Sequence, residues 1–128
     1  TIVAEKFEAS LDLAELNSRM KDFYDIWILS HEYPFQGAVL QEAIIATCAR
    51  RSTPLNSRGL VFSIEFADRS DKQTQWTTFL RKTQITGIPE HFPVIMEGMR
   101  KFLHPVAEAS GKQLRFEKKW RPGGPWQS

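Results

Sequence analysis

The side chains best suited to chemistry are a lysine and two aspartates near the start of the chain, Lys6, Asp22 and Asp25. Each lies in a segment with helical periodicity, on a face that also carries apolar residues. Lys6 shares its helix face with Ile2, Ala9 and Leu13. The two aspartates share theirs with Ile26, Leu29 and Arg19. If the two helices are antiparallel neighbours, the three charged groups converge on one surface. A half-apolar, half-charged surface of this kind suits a domain interface that is also an active-site wall.

The same aspartates have a second interpretation, as partners in surface ion pairs. Arg19 precedes Asp22 by three residues and Lys21 precedes Asp25 by four, and side chains at these spacings meet on a helix surface. Exposed pairs of this type contribute only about 0.3–0.5 kcal/mol each. Periodicity alone leaves both interpretations open.

The elements that must position these residues are helices. Periodicity predicts a first helix over residues 2–14 and a second over residues 18–31, which ends before Pro34 because the residue preceding a proline avoids the helical region. The short turn between them predicts an antiparallel pair. A third helix is predicted over residues 37–51, with Leu40, Ala43, Ile44 and Thr47 buried.

The second half of the chain is also predicted to be helical. Residues 52–62 form an irregular and mobile connection to a helical turn at residues 64–67. Ser70 and Gln73 have the spacing of a capping box that starts a fourth helix, and Gly87 ends it. Pro89 is expected to open a fifth helix, in which Pro105 causes a kink or a restart.

The C-terminal segment WRPGGPW, residues 120–126, has two prolines and two glycines and cannot be helical. Its two tryptophans favour an extended tail docked on the helices. The predicted fold is therefore all-α, a single bundle of about five helices with an irregular C-terminal tail rich in Trp, Pro and Gly.

Composition narrows the class of protein. The chain has 128 residues, 41% hydrophobic and 25% charged, as expected for one globular domain. The single cysteine excludes an intrachain disulfide, and no Cys/His cluster has the spacing of a zinc site. The longest apolar run is far shorter than the roughly 20 residues of a membrane span. We therefore expect a cytoplasmic protein without a membrane partner.

The net charge of +2 is too small to indicate a dedicated nucleic-acid-binding protein unless the excess is concentrated. It is modestly concentrated at the C-terminal end, where one acidic residue, Glu117, accompanies five basic residues. These are Lys112, Arg115, Lys118, Lys119 and Arg121. A solvated tail and a nucleic-acid-binding tail are both consistent with this pattern.

The string EKFEASLDLAELNSRMKDFYDI, residues 5–26, resembles a segment of the AbiEii/AbiGii toxin family of nucleotidyltransferases, in which a lysine-bearing helix precedes an SRxKDxxDI block. Further matches follow along the chain. They are TPL at residues 53–55 after paired arginines, KQxQWxxFLR at 72–81, FLxPV at 102–106 and the closing WxPGGPW. The resemblance covers essentially the whole chain.

The resemblance implies a toxin of a toxin–antitoxin or phage-defence system that transfers nucleotides from a nucleoside triphosphate with Mg²⁺, in some members onto tRNA. The family's N-terminal transferase domain carries a Gly-Ser or Gly-Gly-Thr loop and paired metal-binding acids. This sequence has neither a Gly-Ser loop nor a DxD motif. We therefore expect residues 1–128 to be the helical C-terminal domain, inactive without its transferase domain and binding no cofactor alone. The antitoxin protein and tRNA are further expected partners.

The resemblance also implies roles for individual residues. The motif lysine falls on Lys6, which is assigned to the phosphates, because a nucleotidyl transfer needs cations to neutralise triphosphate charge. Asp22 is assigned to the acceptor hydroxyl or the metal shell, and Asp25 to holding Lys6 or a backbone group in place. Arg19 and Lys21 fall in the same block and are assigned to substrate binding.

Two other interpretations of the whole chain remain. The first is a free-standing helical module that binds nucleic acid or an antitoxin protein, and the second is a remnant open reading frame without activity. Other side chains have structural explanations. His31, His91 and His104 lack a ligand spacing, Cys48 is expected in the core, and Ser18 is expected to cap a helix.

Overall fold

The computed structural model describes residues 2–13, 19–55 and 60–128, and this part of the chain is mostly helical, as predicted. Its α-helices are α1 (Ile2–Leu13), α2 (Met20–Glu32), α3 (Gly37–Arg50), α4 (Ile64–Ala67), α5 (Ser70–Thr83) and α6 (Phe92–Gly111). A 3₁₀ turn spans Leu60–Phe62, and three two-residue strands are β1 (Phe35–Gln36), β2 (Lys119–Trp120) and β3 (Trp126–Gln127). Within the described ranges, no helix has the length and apolar character needed to cross a membrane.

Helix α1 packs against both α2 and α3, and α6 runs beside α2 and α3. Helix α2 ends as the sequence predicts: Tyr33 is extended, with ψ of 150°, and Pro34 follows it. Ser63 caps α4, since its side chain accepts a hydrogen bond from the Phe66 N–H at 3.1 Å. Part of the connection that was expected to be mobile, residues 56–59, lies outside the described residues.

The core is rich in aromatic rings that join four helices. Phe23 of α2 lies 5.8 Å from Phe92 of α6 and 6.2 Å from Phe66 of α4, measured between ring centroids. Trp76 of α5 is fully buried, 6.1 Å from Phe92. Edge and tilted contacts at these distances add about 0.5–1.5 kcal/mol per pair to the burial of the rings. They fix α2, the helix that carries both aspartates, against the rest of the protein.

The predicted capping box is wrong. Helix α5 starts at Ser70, and the residue at its N-cap is Arg69, whose side chain makes no capping hydrogen bond. Gln73 instead accepts a hydrogen bond from the Phe92 N–H at 2.7 Å and donates one to the Glu90 carbonyl at 2.9 Å. Gln73 therefore satisfies an N–H group at the start of α6, because that helix end lies beside α5.

The predicted start of the fifth long helix is also wrong, and the helix does not restart at its internal proline. Pro89 lies before the helix and accepts a hydrogen bond from the Trp76 indole N–H at 3.0 Å, whereas α6 starts at Phe92 with Pro93 in its first turn. Pro105 lies inside α6, which continues as one helix to Gly111. A proline removes one N–H from the hydrogen-bond ladder, and packing of the buried residues on both sides retains the helix.

The C-terminal tail lies back on the helices, as predicted, but it does so as a small antiparallel sheet that periodicity did not predict. The strand order is β1-β2-β3, with Phe35 opposite Trp120 and Trp120 opposite Trp126. The indole N–H of Trp120 donates to the Ser30 carbonyl at 2.7 Å, and that of Trp126 donates to the Phe102 carbonyl at 2.8 Å. Both rings are therefore docked with their polar atoms satisfied.

Candidate active-site wall

The structure brings Lys6, Asp22 and Asp25 together. Helices α1 and α2 pack side by side, with Lys6 on the side of α1 that meets the first two turns of α2. The Lys6 Nζ lies 3.0 Å from Asp22 Oδ1 and 3.1 Å from Asp25 Oδ2. Since Asp22 and Asp25 are three residues apart, both carboxylates project from one face of α2. One ammonium group thus binds two carboxylates.

Burial differs among the three side chains. Asp22 is the least accessible, with 8% of its side chain exposed, followed by Asp25 at 20% and Lys6 at 29%. The hydrogen bond that Lys6 donates to Asp22 is the main factor that raises the pKa of Lys6 above its usual value, and partial burial opposes it. The lysine therefore remains protonated across the physiological range, and the cluster opens to solvent on the lysine side.

The basic residues of the same block occupy different positions. Lys21 is exposed, and its Nζ lies 3.0 Å from the same Asp25 oxygen that Lys6 contacts. Arg19 immediately precedes α2, where its carbonyl accepts the Asp22 N–H at 3.0 Å. Within the described ranges, its exposed guanidinium pairs with no carboxylate. Of the two surface ion pairs considered from spacing, Lys21–Asp25 forms and Arg19–Asp22 does not.

Apolar residues border Lys6 on α1, as the helical spacing indicated. Ile2 is largely exposed and Ala9 is half-buried, whereas the side chain of Leu13 lies outside the described part. On α2, Ile26 is buried and Leu29 is half-buried. The charged cluster therefore has an exposed apolar neighbour on α1 and a covered apolar face on α2.

The cluster does not fit a divalent metal ion by itself. Its two carboxylates are already neutralised by the ammonium groups of Lys6 and Lys21, one of which lies within 3.1 Å of both acids. No group of three or more His, Cys, Asp and Glu side chains in the described part of the chain could surround such an ion. Mg²⁺ prefers a shell of oxygen ligands without a competing cation at its centre.

One buried acidic residue of α1 was not predicted from the sequence. Glu8, two residues after Lys6, has a side chain only 4% exposed, and its Oε1 lies 3.4 Å from Arg51 Nε. Its Oε2 accepts a hydrogen bond from the Thr53 hydroxyl at 3.0 Å. Glu8 thus fastens α1 to the segment after α3. The available signal was the TPL motif after paired arginines, which offers a donor and a cation to a buried acid.

A buried lysine was also missed. Lys72, the first residue of the KQxQWxxFLR block, is only 3% exposed, and its Nζ lies 5.7 Å from the centre of the Phe66 ring. Its ammonium donates a long hydrogen bond of 3.4 Å to Gln75 Oε1. Burial lowers the pKa of Lys72 below its ordinary value. A lysine within a polar-looking helix segment gives no sequence signal of burial.

The remaining candidates have structural roles. His31 stacks on Trp27 at 4.0 Å, and His104 contacts the Phe62 ring edge-on at 5.0 Å. His91 is exposed at the start of α6. Cys48 is buried, which raises the pKa of its thiol, as expected for a core residue. Ser18 lies outside the described residues.

An open cleft of about 600 Å³ lies between the end of α5 and the loop after it, lined by Arg81 and Glu90 among others. It contains none of the residues of the charged cluster. The volume of the cleft and the convergence of charged side chains therefore indicate two different candidate sites. We take the charged cluster as the candidate active-site wall because its geometry is chemically distinctive.

Comparison with known proteins decides the family. The family described as "Nucleotidyl transferase AbiEii toxin, Type IV TA system" matches residues 1–98. This chain belongs to the AbiEii nucleotidyl transferase toxin family. The match includes α1 and α2, so the charged cluster lies within the AbiEii region, whereas most of α6 and the strands β2 and β3 lie beyond it. No curated protein and no solved structure matches the chain significantly.

Proposed function

We propose that this chain is the helical part of an AbiEii nucleotidyltransferase toxin and that Lys6, Asp22 and Asp25 form one wall of its active site. In the reaction, an acceptor hydroxyl oxygen bonds to the α-phosphorus of a nucleoside triphosphate. The bond from that phosphorus to the oxygen bridging it to the β-phosphate breaks, and pyrophosphate leaves. The acceptor of the proposed reaction is a tRNA, and the antitoxin is the expected protein partner of a family of this type.

The observation that carries the proposal is the position of Lys6 between two carboxylates. Its raised pKa keeps the ammonium charged, so it can neutralise charge on the phosphates as the transition state forms. It is also the most exposed of the three side chains, which leaves its ammonium accessible to a bound triphosphate.

Asp22 is the proposed proton acceptor for the attacking hydroxyl. A general base must lie within hydrogen-bond reach of the proton it takes, and it is more effective where water is limited. Asp22 is the less exposed of the two carboxylates, and its Oδ1 contacts Lys6 at 3.0 Å. Its second oxygen is the proposed contact to the acceptor hydroxyl.

Asp25 is the proposed positioning residue. One of its oxygens contacts both Lys6 and Lys21. When Lys6 turns toward a phosphate, Lys21 still neutralises Asp25, so the carboxylate does not become an unpaired charge. The guanidinium of Arg19, which immediately precedes α2, is the proposed second contact to the substrate.

The proposed active site requires a second domain in addition to this wall. We propose that a nucleotidyltransferase domain with a glycine loop and paired acids binds Mg²⁺ and the triphosphate, since the cluster described above does not fit the metal. Because the proposed nucleotide and acceptor are cytoplasmic molecules, the proposed place of action is the cytoplasm. Phage defence is the corresponding biological role.

The test begins with the coding sequence immediately upstream of this chain. It should encode a glycine loop and paired acids, and an upstream region without them would contradict the proposal. The encoded domain and this chain are then expressed together and assayed with radiolabelled nucleoside triphosphate, Mg²⁺ and total tRNA. The Lys6→Met variant should lose at least about 100-fold in transfer rate.

Lys101→Met is the matched control for Lys6→Met, because Lys101 is an exposed lysine of α6 outside the cluster. It should transfer nucleotide as the parent does. Full activity of the Lys6→Met variant, or an equal loss in both variants, would contradict the assignment of Lys6 to the phosphates.

A further inference from the structure

The basic residues of the C-terminal segment form part of a fixed surface rather than a loose tail. Two hydrogen-bond systems hold the backbone that carries them. Gln41 of α3 accepts the Phe116 N–H at 2.9 Å and donates to the Leu114 carbonyl at 2.8 Å. The Gly37 N–H donates to the Lys118 carbonyl at 2.7 Å. The side chains that follow are therefore displayed from an ordered backbone.

Close packing at Gly37 shows how tightly this segment is held. A Cβ atom at that position would lie 2.7 Å from the Lys118 carbonyl oxygen and 2.8 Å from the Phe116 carbonyl oxygen. Only a glycine at the start of α3 allows the segment to approach so closely. The close approach of residues 116–118 to α3 therefore depends on Gly37.

The strand register separates the sheet into two rows. Phe35, Trp120 and Trp126 form the row that packs on the helices. The other row, Gln36, Lys119 and Gln127, is exposed to solvent. Lys119 therefore lies at the middle of an outward polar row, with an amide side chain on either side.

Beside this row lies a shallow hollow of about 190 Å³ whose charged lining residues are Arg115, Glu117, Lys118 and Lys119. The Arg115 Nε lies 3.1 Å from Glu117 Oε1, so these two charges offset each other. Within the described ranges, neither Lys118 nor Lys119 pairs with a carboxylate. The hollow therefore has two uncompensated positive charges, and the nearby Arg121 adds a third.

We propose that this basic surface, formed by Gln36, Arg115, Lys118, Lys119 and Gln127, binds the sugar–phosphate backbone of the nucleic acid that accepts the nucleotide. Lysine ammonium groups bind phosphates as point charges, and glutamine amides donate to phosphate and sugar oxygens. The charged lining lacks the large apolar anchor that centres most protein–protein interfaces. Charge complementarity therefore favours a nucleic-acid backbone over a protein.

The basic surface lies at the end of α2 opposite the Lys6 cluster. Asp22 is in the first turn of α2, and Glu32 ends the helix just before β1. At roughly 1.5 Å per residue, these two positions are about 15 Å apart along the helix axis, which corresponds to about four or five base pairs of duplex. Substitutions on the basic surface therefore leave the ion pairs of the cluster intact.

The inference rests on the proposed function for its choice of acceptor, but binding can be measured without transfer. Fluorescence anisotropy with labelled total tRNA gives the affinity of the 128-residue chain as a function of salt concentration. Each phosphate contact made by a lysine contributes close to one unit to the slope of log affinity against log salt. The double variant K118Q/K119Q should reduce the steepness of the slope by about 1.5 to 2 and weaken binding at low salt.

The matched control is R81Q/K82Q, which removes the same charge from two exposed residues at the end of α5. It should bind with the parent's slope. Equal losses in both double variants would show that net charge alone attracts the RNA, and they would overturn the proposal. An unchanged slope in K118Q/K119Q would do the same.

Competition separates a nucleic-acid surface from a surface for an acidic protein. Polyglutamate of equal charge should displace tRNA much less effectively than unlabelled duplex RNA does. Displacement by polyglutamate at equal concentration of charge would overturn the proposal in favour of an acidic protein partner. If the Lys6→Met enzyme keeps its activity while K118Q/K119Q loses tRNA binding, the proposed catalytic wall fails and the basic surface stands.

Discussion

The hydrogen bonds of Gln41 provide a quantitative test of how the C-terminal segment is held. Replacing Gln41 with alanine removes the acceptor of the Phe116 N–H, which lies in a buried environment. It also removes the donor to the Leu114 carbonyl and to Ser110 Oγ. Leu114 is 59% exposed, so water can replace the first bond, and the Ser110 hydroxyl still donates to the Val106 carbonyl. The remaining cost is that of one buried, unsatisfied N–H group, about 1 to 3 kcal/mol.

Urea unfolding followed by circular dichroism gives the change in unfolding free energy, and native-state hydrogen exchange reports the Phe116 amide itself. We expect Gln41→Ala to lower the free energy of unfolding by about 2 kcal/mol and to reduce protection of that amide. Gln127→Ala is the control, because Gln127 is exposed at the sheet edge, and its effect should be within about 0.5 kcal/mol. A loss below about 0.5 kcal/mol for Gln41→Ala, with Phe116 protected as in the parent, would refute the reasoning.

Two further predictions concern stability. Gly98→Ala should lower the free energy of unfolding by about 1–3 kcal/mol, because the new Cβ would overlap the Trp27 ring. Gly111→Ala, with open space around the new Cβ, should be neutral or stabilising. Equal effects of the two substitutions in thermal unfolding would contradict this explanation. Lys72→Met should be more stable than the parent by about 1 kcal/mol at pH 7, because burial disfavours the charged amine. Since the pKa of Lys72 is lowered on folding, folding releases protons at pH values between the lowered pKa and the ordinary value of 10.5. The parent therefore gains stability as pH rises through that range, and the difference between the two proteins should shrink toward pH 10.5. A difference that is constant or grows between pH 7 and 10 in urea unfolding would contradict the buried-amine explanation.

Periodicity was a sufficient guide to the long helices because each has an apolar stripe that packs on one core. Helix α2 and the turn at α4 lie where the sequence placed them, within two residues at each end. Local motifs were less reliable. Gln73 has the spacing of a capping box with Ser70, but its side chain bonds to residues 17 and 19 positions further along the chain. Such long-range partners override a local preference that is worth only about 1 kcal/mol.

The C-terminal sheet could not be predicted for a related reason. Its strands contain two residues each, too few for an alternating pattern to be recognised. Their pairing depends on Trp120 and Trp126 finding hydrogen-bond acceptors on α2 and α6. The tryptophans predicted that the tail docks, whereas the register follows from contacts that only the folded chain supplies.

For the candidate site, the informative sequence pattern was that charged residues share a helix face with apolar residues. Periodicity left a shared surface and simple surface ion pairs both open, and the structure contains the Lys6–Asp22 contact as well as the surface pair of Lys21 with Asp25. No comparable pattern predicted the burial of Glu8 and Lys72. Their burial follows from the positions of α3 and α4, which no pattern within α1 or α5 specifies.

The most direct test of the central claim, that the Lys6 cluster serves nucleotide transfer, compares the two carboxylates in the complete enzyme. Transfer to tRNA is measured for Asp22→Asn and Asp25→Asn, with Asp71→Asn, an exposed acid paired with Arg69 away from the cluster, as control. We expect a loss of roughly 10²–10⁴-fold for Asp22→Asn, the loss expected for a general base, and a smaller loss for Asp25→Asn, because Lys6 still binds Asp22. Parent-like transfer by Asp22→Asn in a folded protein would contradict it.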